Sequence, residues 1–199
     1  MRAGAYSLQV NAIPERNMKA PSMLLLLALA ALPAVAPAAR SVTDPDAPRA
    51  LPEQDPVSVS WEDPAQFSDL RYSGNRWEAA HGDWVAELAR HLQKNAAKRL
   101  PEGARMEVTI TDIQRAGRYE PWRGPNLDHV RFMRDHYPPR MELKFRITGA
   151  DGRVLAEGER KLHDVSYLQR GAPLDSDALR YEKRMIDDWL RKELPSPAA

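Results

Sequence analysis

Alternation of apolar and polar residues is clearest over Met141–Thr148. Met141, Leu143, Phe145 and Ile147 point one way, and Glu142, Lys144, Arg146 and Thr148 the other. A period of two predicts a half-buried strand with its apolar side inward. Gly149-Ala150-Asp151-Gly152 is turn chemistry, so Val154–Leu162 is expected to return as the second strand of a hairpin. Pro138 and Pro139 have no N–H to donate and are expected to mark the start of that hairpin, not its middle. The same period places a short strand at Val57, Val59 and Trp61, and another at Met106, Val108 and Ile110. Between them Trp77, His81, Trp84, Leu88, Leu92 and Ala96 recur at helical spacing, from a cap at Asn75 to a stop at Pro101, with Gly82 a weak point. Leu179, Met185, Ile186, Trp189 and Leu190 predict a final amphipathic helix, with Asp175, Ser176 or Asp177 as cap. Residues 116–137 show little regular pattern, although His129–Met133 could add a short strand, and a loop this long tends to be functional or mobile. The expected fold is α+β: a mostly antiparallel sheet of about four or five strands, with two main helices packed on one face.

The ends read differently. Met23–Leu32 is apolar but short of the roughly 20 residues that span a bilayer. It follows Lys19 and precedes Ala36-Pro37-Ala38, which is the pattern of an export signal, here expected to span residues 1–38 with cleavage after Ala38. A start at Met18 would give the usual signal length, and a start at Met1 a long one. No Cys is present to carry a lipid anchor, so the expected location is the periplasm, with no membrane span once the signal is removed. Residues 39–56, with Pro45, Pro48, Pro52 and Pro56, are expected to form a flexible or extended leader. Residues 57–194 are then one domain and 195–199 a tail.

Composition narrows the function. The absence of Cys excludes disulfides, thiol nucleophiles and Cys-ligated zinc. The formal net charge is +1, and removal of residues 1–38 takes away Arg2, Arg16, Lys19 and Glu15 to leave −1. A near-neutral chain argues against nucleic acid as partner. No nucleophile elbow, phosphate-binding loop or His-Glu-x-x-His segment occurs, and no pattern calls for a cofactor.

Several stretches together resemble a known family. They are Trp61-x-x-Pro64-x-x-Phe67-Ser68-Asp69, Asp112-Ile113-x-x-Ala116-Gly117, Tyr119-Glu120-Pro121-Trp122, Arg131-x-Met133, Tyr137-Pro138-Pro139-Arg140, Gly158-x-Arg160-x-Leu162-x-Asp164, and Leu179–Lys183 with Asp187–Leu190. In this order they resemble a proteobacterial domain of unknown function, family 3016, over about residues 57–194. The resemblance implies a small exported protein. It implies no reaction and carries over no functional residue.

The residues that could bear chemistry each have a bland counterpart. Asp128-His129 and Asp135-His136 pair imidazole with carboxylate, which suits a metal site because the carboxylate can orient the ring. Their spacing matches no ligand motif, so solvated loop pairs are the plainer expectation. His81 lies on the helical stripe and is expected to be a core histidine. Tyr119, Trp122, Arg131 and Arg140 are the candidate binding residues, since Trp, Tyr and Arg anchor interfaces. The competing expectation for Trp122 is a lid folded onto the sheet, and it is favoured because Trp is usually largely buried. Arg140, Arg160 and Lys161 are expected to pair with Glu142, Glu157 and Glu159 on the wet face of the hairpin, contributing roughly 0–1 kcal/mol each. Arg140 could instead anchor Asp112 or Asp164. Tyr181–Arg184 and Asp187-Asp188 are expected to form a solvated helix face. The leading expectation is a non-catalytic periplasmic binding or accessory module, its partner an envelope protein or small ligand meeting the loop Tyr119–His136. The alternative is a small metal-dependent enzyme or metal carrier using His129 and His136 with Asp128 or Asp135.

Overall fold

A computed structural model describes residues 41–170 and 176–194. The expected signal, the tail and Asp175 lie outside the described residues. Four strands form the main sheet: β1 (Val57–Trp61), β2 (Arg105–Gln114), β5 (Arg140–Thr148) and β6 (Val154–His163), in the order β1-β2-β5-β6. Two short strands, β3 (Arg118–Tyr119) and β4 (Arg131–Phe132), pair separately. Among the described residues the helices are α1 (Ser68–Arg71), α2 (Arg76–Ala80), α3 (Trp84–Ala97) and α4 (Arg180–Glu193), of which α3 and α4 are long.

The fold is α+β, but the expected mostly antiparallel sheet is corrected to a mixed one. β1 runs parallel to β2, Val57 opposite Met106, while β2, β5 and β6 are antiparallel. The connection explains the difference. β1 reaches β2 through all three of the first helices, and a helical crossover of that length delivers the chain back in the same direction.

The expected single helix from Asn75 also divides. Asn75 caps α2, its side chain accepting from the Glu78 N–H at 3.1 Å. The helix then stops at His81, and Gly82 adopts φ +90°, a left-handed conformation that interrupts helical geometry and favours glycine. Because the axis turns there, Trp77 leaves the stripe it shares in sequence with Trp84 and is 68% exposed. His81 is corrected in the same way: it is half-buried, with Nδ1 3.1 Å from the Trp77 carbonyl and its ring against the Trp77 ring.

α3 and α4 cover one face of the sheet. Leu88, Leu92, Ile186, Trp189 and Leu190 meet Val57, Val59, Val108, Ile110, Leu143 and Phe145 in one apolar core. Full burial of each large aliphatic side chain contributes about 1.5–3 kcal/mol. Trp189 lies in that core, its ring edge-on to Phe145 at 5.8 Å. The other face is wet and carries the expected pair Lys161–Glu142 at 2.8 Å, while Glu157 and Glu159 are met by Arg146 at 2.9 Å and Lys144 at 3.6 Å and not by Arg140 or Arg160. Arg160 departs from expectation. It stands opposite Leu143 on the helix side of edge strand β6, lies over the Phe145 ring and bonds both Glu193 carboxylate oxygens at 2.9 Å.

The proline-rich segment before β1 makes hydrogen-bonded turns at Ser41–Asp44 and Asp44–Ala47 and then runs beside β1. Leu51 donates to the Val59 carbonyl, and Trp61 to that of Arg49, along the edge of β1. The expected solvated face of α4 is corrected as well. Tyr181 and Glu182 are buried, Lys183 bridges Glu87 and Asp177, and Asp187 accepts from Asn95 and lies 2.9 Å from His91 Nε2. Those contacts fasten α4 to α3.

Candidate functional site: a charge-bound end of the sheet

β2 ends at Gln114 opposite Arg140, the first residue of β5. The chain between them loops out, makes the β3–β4 ribbon and returns, and it leaves Trp122, Leu127 and Met133 exposed and not packed beneath it. Buried carboxylates hold the loop.

Asp69, in the first turn of α1, has its side chain 1% exposed. The turn is placed by Asp112, which accepts the Ser68 N–H at 2.6 Å. Asp69 in turn receives Arg115 Nη2 at 2.7 Å, Arg131 Nη2 at 2.5 Å and the Arg115 backbone N–H at 2.9 Å. Burial pushes this carboxyl up, but the charges of Arg131 and Arg115 and the bonds they donate outweigh burial and hold it below its ordinary value. Both guanidinium groups are used further. Arg115 lies over the Trp84 ring at 4.1 Å and donates to the Ala79 carbonyl, and Arg131 donates to the Ala116 and Arg115 carbonyls.

Glu120 forms a second clamp within the loop. It accepts from Arg123 at 2.5 Å, from Arg134 at 2.7 and 2.8 Å, and from the Tyr137 hydroxyl at 3.2 Å. The hydrogen bond from Arg134 leads in bringing its carboxyl down to about 2, against partial desolvation and with help from Arg123 and Tyr137. Glu182, in the first turn of α4, accepts the Ala116 N–H at 2.6 Å through Oε1, while Oε2 is buried with no hydrogen-bond partner among the described residues. Burial dominates there and raises its carboxyl above the ordinary value, the Ala116 N–H and the nearby arginines offsetting only part. The Tyr167 hydroxyl donates to the Arg134 carbonyl at 2.7 Å and closes the ring of contacts.

The sequence model of a family described as a protein of unknown function, DUF3016, matches residues 55–192. The chain belongs to the DUF3016 family. No curated protein and no solved structure matches it.

The candidate binding residues of this DUF3016 domain separate into three kinds. Tyr119 is buried beneath Arg131, whose guanidinium lies 5.2 Å from the ring centre, so both belong to the clamp. Arg140 is exposed, and no hydrogen bond or ion pair reaches its side chain among the described residues. Asp112 serves Ser68 instead, and Asp164 pairs with Arg170 at 3.2 Å. Trp122 is 67% exposed, which overturns the lid: it rides on the short 3-10 turn Pro121–Arg123 with Glu120 clamped beneath. His129 is exposed beside its own Asp128, His136 is exposed against Tyr137, and Asp135 accepts from Gln169. Among the described residues no three His, Asp or Glu side chains cluster closely enough to hold a metal ion, so the metal alternative has no donor set to rest on.

Asp69, Arg115, Glu120, Arg134 and Glu182 are the organising residues that periodicity missed. Asp69, Glu120 and Glu182 do lie in the stretches that carry the family resemblance, which was the available signal. The cavity beside Asp69 is only about 40 Å³, room for little more than one water and not for a substrate. The geometry acts as a clamp. It fixes two surface segments against each other: Gly74 approaches so closely that a β-carbon there would stand 2.4 Å from the Tyr119 carbonyl oxygen and 2.6 Å from Pro121 Cδ, and Asn75 Nδ2 donates to the Asp128 carbonyl at 3.1 Å. The segments so joined carry Tyr72, Trp77, Trp122, Leu127 and Met133, all among the large exposed apolar side chains.

Proposed function

We propose that this DUF3016 protein is an exported, periplasmic, non-catalytic binding or accessory module, and that its partner meets the surface carrying Trp77 and Trp122. The observation that carries this reading is the exposure of two tryptophans, 68% and 67%, on segments pinned from beneath by buried arginine–carboxylate pairs. Exposing an indole to water forgoes its burial energy, and a rigid support lowers the entropy lost when such a residue docks. Export rests on the basic start, the short apolar run and the Ala-x-Ala end of residues 18–38. Among the described residues no helix is long and apolar enough to cross a membrane.

The test is recovery of partners from periplasmic extract with immobilised mature protein, run beside Trp77→Ala and Trp122→Ala. The reading expects a partner held by the wild type and lost by both variants. Equal recovery by all three would refute it. Intact mass of the exported protein checks localisation: the expected species begins at Ala39, and a cell-envelope form still carrying Met23–Leu32 would contradict the export claim.

A further inference from the structure

We infer that the partner presents an acidic peptide segment carrying an aromatic or large apolar side chain. The inference rests on the binding-module reading and adds the chemistry of what is bound. Its basis is an imbalance of charge on the two segments that the clamp joins. Residues 68–78 and 115–139 hold seven arginines against five carboxylates, in a chain whose formal net charge is only +1. Two of those carboxylates, Asp69 and Glu120, are buried and already met by two arginines each.

Positive charge is therefore left at the surface. Arg71, Arg76 and Arg118 are exposed, and no carboxylate pairs with them among the described residues. Arg71 lies over the Tyr72 ring, 5.5 Å from its centre, and Arg118 donates to the Tyr72 carbonyl at 2.7 Å. Both guanidinium groups are thus oriented by the turn at Tyr72, which leads into the helix α2 that carries Trp77. Arginine fits a carboxylate with two parallel hydrogen bonds, and Arg, Trp and Tyr are the residues that dominate binding energy at interfaces.

The shape of the surface favours a peptide over a lipid headgroup or a polysaccharide. Beside Trp77 runs a groove of about 640 Å³ lined by the apolar Leu70, Ala65 and Ala80 and by the polar Ser41, Thr43, Arg76 and His81. An apolar lining next to an arginine accepts one apolar side chain with a carboxylate following it along the chain. A lipid surface would meet the protruding Trp77 and Trp122 but cannot follow the groove down to Leu70, which is 2% exposed, and a sulfated or carboxylated sugar has no large apolar group to fill it.

A random copolymer of glutamate and tyrosine tests this, titrated against the mature protein and followed by tryptophan fluorescence. Polyglutamate, heparin and phosphatidylglycerol vesicles serve as the other arms. The expected result is tighter binding of the copolymer than of all three. Binding should weaken steeply between about 0.01 and 0.15 M salt, as the Debye length falls from about 30 to about 8 Å. Arg71→Gln/Arg76→Gln and Trp77→Ala should each weaken it at least about tenfold. Arg146→Gln/Lys161→Gln, on the outer face of the sheet, should leave it unchanged and so separate this surface from general charge. No binding of the copolymer, preference for heparin or vesicles, or equal loss in the sheet-face variant would overturn the inference. Loss of an extract partner on Trp77→Ala despite a silent copolymer would overturn only the acidic-peptide chemistry, whereas undiminished extract capture by the tryptophan variants would overturn the binding surface itself.

Discussion

The two ends of the main sheet are held together by different physics. Beneath α3 and α4 the sheet buries Leu88, Leu92, Ile186 and Trp189 against Ile110, Leu143 and Phe145, and the stabilisation is dispersive and hydrophobic. Where β2 gives way to the loop 115–139, two buried carboxylates each gather two arginines, and the apolar residues of the loop stay largely on its outside. Apolar packing tolerates modest change and is indifferent to pH. A buried charge pair holds its geometry closely but is sensitive to the loss of either member. A loop secured in the second way can leave its tryptophan, Trp122, at the surface, because it is not needed for the loop's stability.

The comparison can be broken by substitution, from large effects to small. Trp189→Ala removes a core aromatic and should cost about 3–5 kcal/mol in urea unfolding. Asp69→Ala leaves Arg115 and Arg131 buried without their anion and should cost a similar 3–5 kcal/mol. The two separate on acidification. Asp69 is held below its ordinary value, so its contribution is complete above about 4 and is lost as pH falls through its lowered folded value. The Asp69→Ala deficit should therefore shrink in acid and the Trp189→Ala deficit should not; parallel behaviour would show that the charge pair is not what binds this end. Glu182 has the opposite sign. Its raised folded value makes wild-type stability fall as pH rises from the ordinary glutamate value to the raised folded one, so wild type should gain on Glu182→Gln as pH is lowered across that interval, the gain being complete below the ordinary value.

Gly74→Ala should cost about 1–3 kcal/mol, because the new β-carbon meets backbone at Tyr119 that cannot swing aside. The smallest effect belongs to Trp122→Ala, expected to change stability by less than about 0.5 kcal/mol. A midpoint drop close to that of Trp189→Ala would mean that Trp122 is packed in solution, and the exposed anchor would be lost.

How much of this was legible in the sequence follows from the length scale of each interaction. The hairpin Met141–Leu162 and the final helix were visible because alternation and helical spacing are local signals that also specify burial. The parallel pairing of β1 with β2 was not, since pairing direction depends on where a crossover lands. Gly82 was noticed as a weak point, yet its full consequence, a turn that expels Trp77 and His81 from the core, needed the backbone angle. The clamp was hidden for a different reason. Asp69, Arg115, Glu120 and Glu182 are charged residues that no local periodicity marks as buried, and their burial is created by segments up to 66 residues away, as in the bond from Ala116 to Glu182. Charge alone therefore placed Tyr181–Arg184 at the surface, when the first turn of α4 is where the loop is anchored.

The central claim is that the loop presenting Trp122 is held by its buried carboxylate and not by apolar packing. Native-state hydrogen exchange on Glu120→Ala tests it most directly. The backbone N–H groups of Arg123, Leu127, Val130 and Tyr137 are all hydrogen-bonded within the loop and report on it, while those of β2 and β5 report on the core. The account predicts faster exchange at the four loop positions with the core strands unchanged. Unchanged protection in the loop, or an equal loss of protection in loop and core, would contradict it.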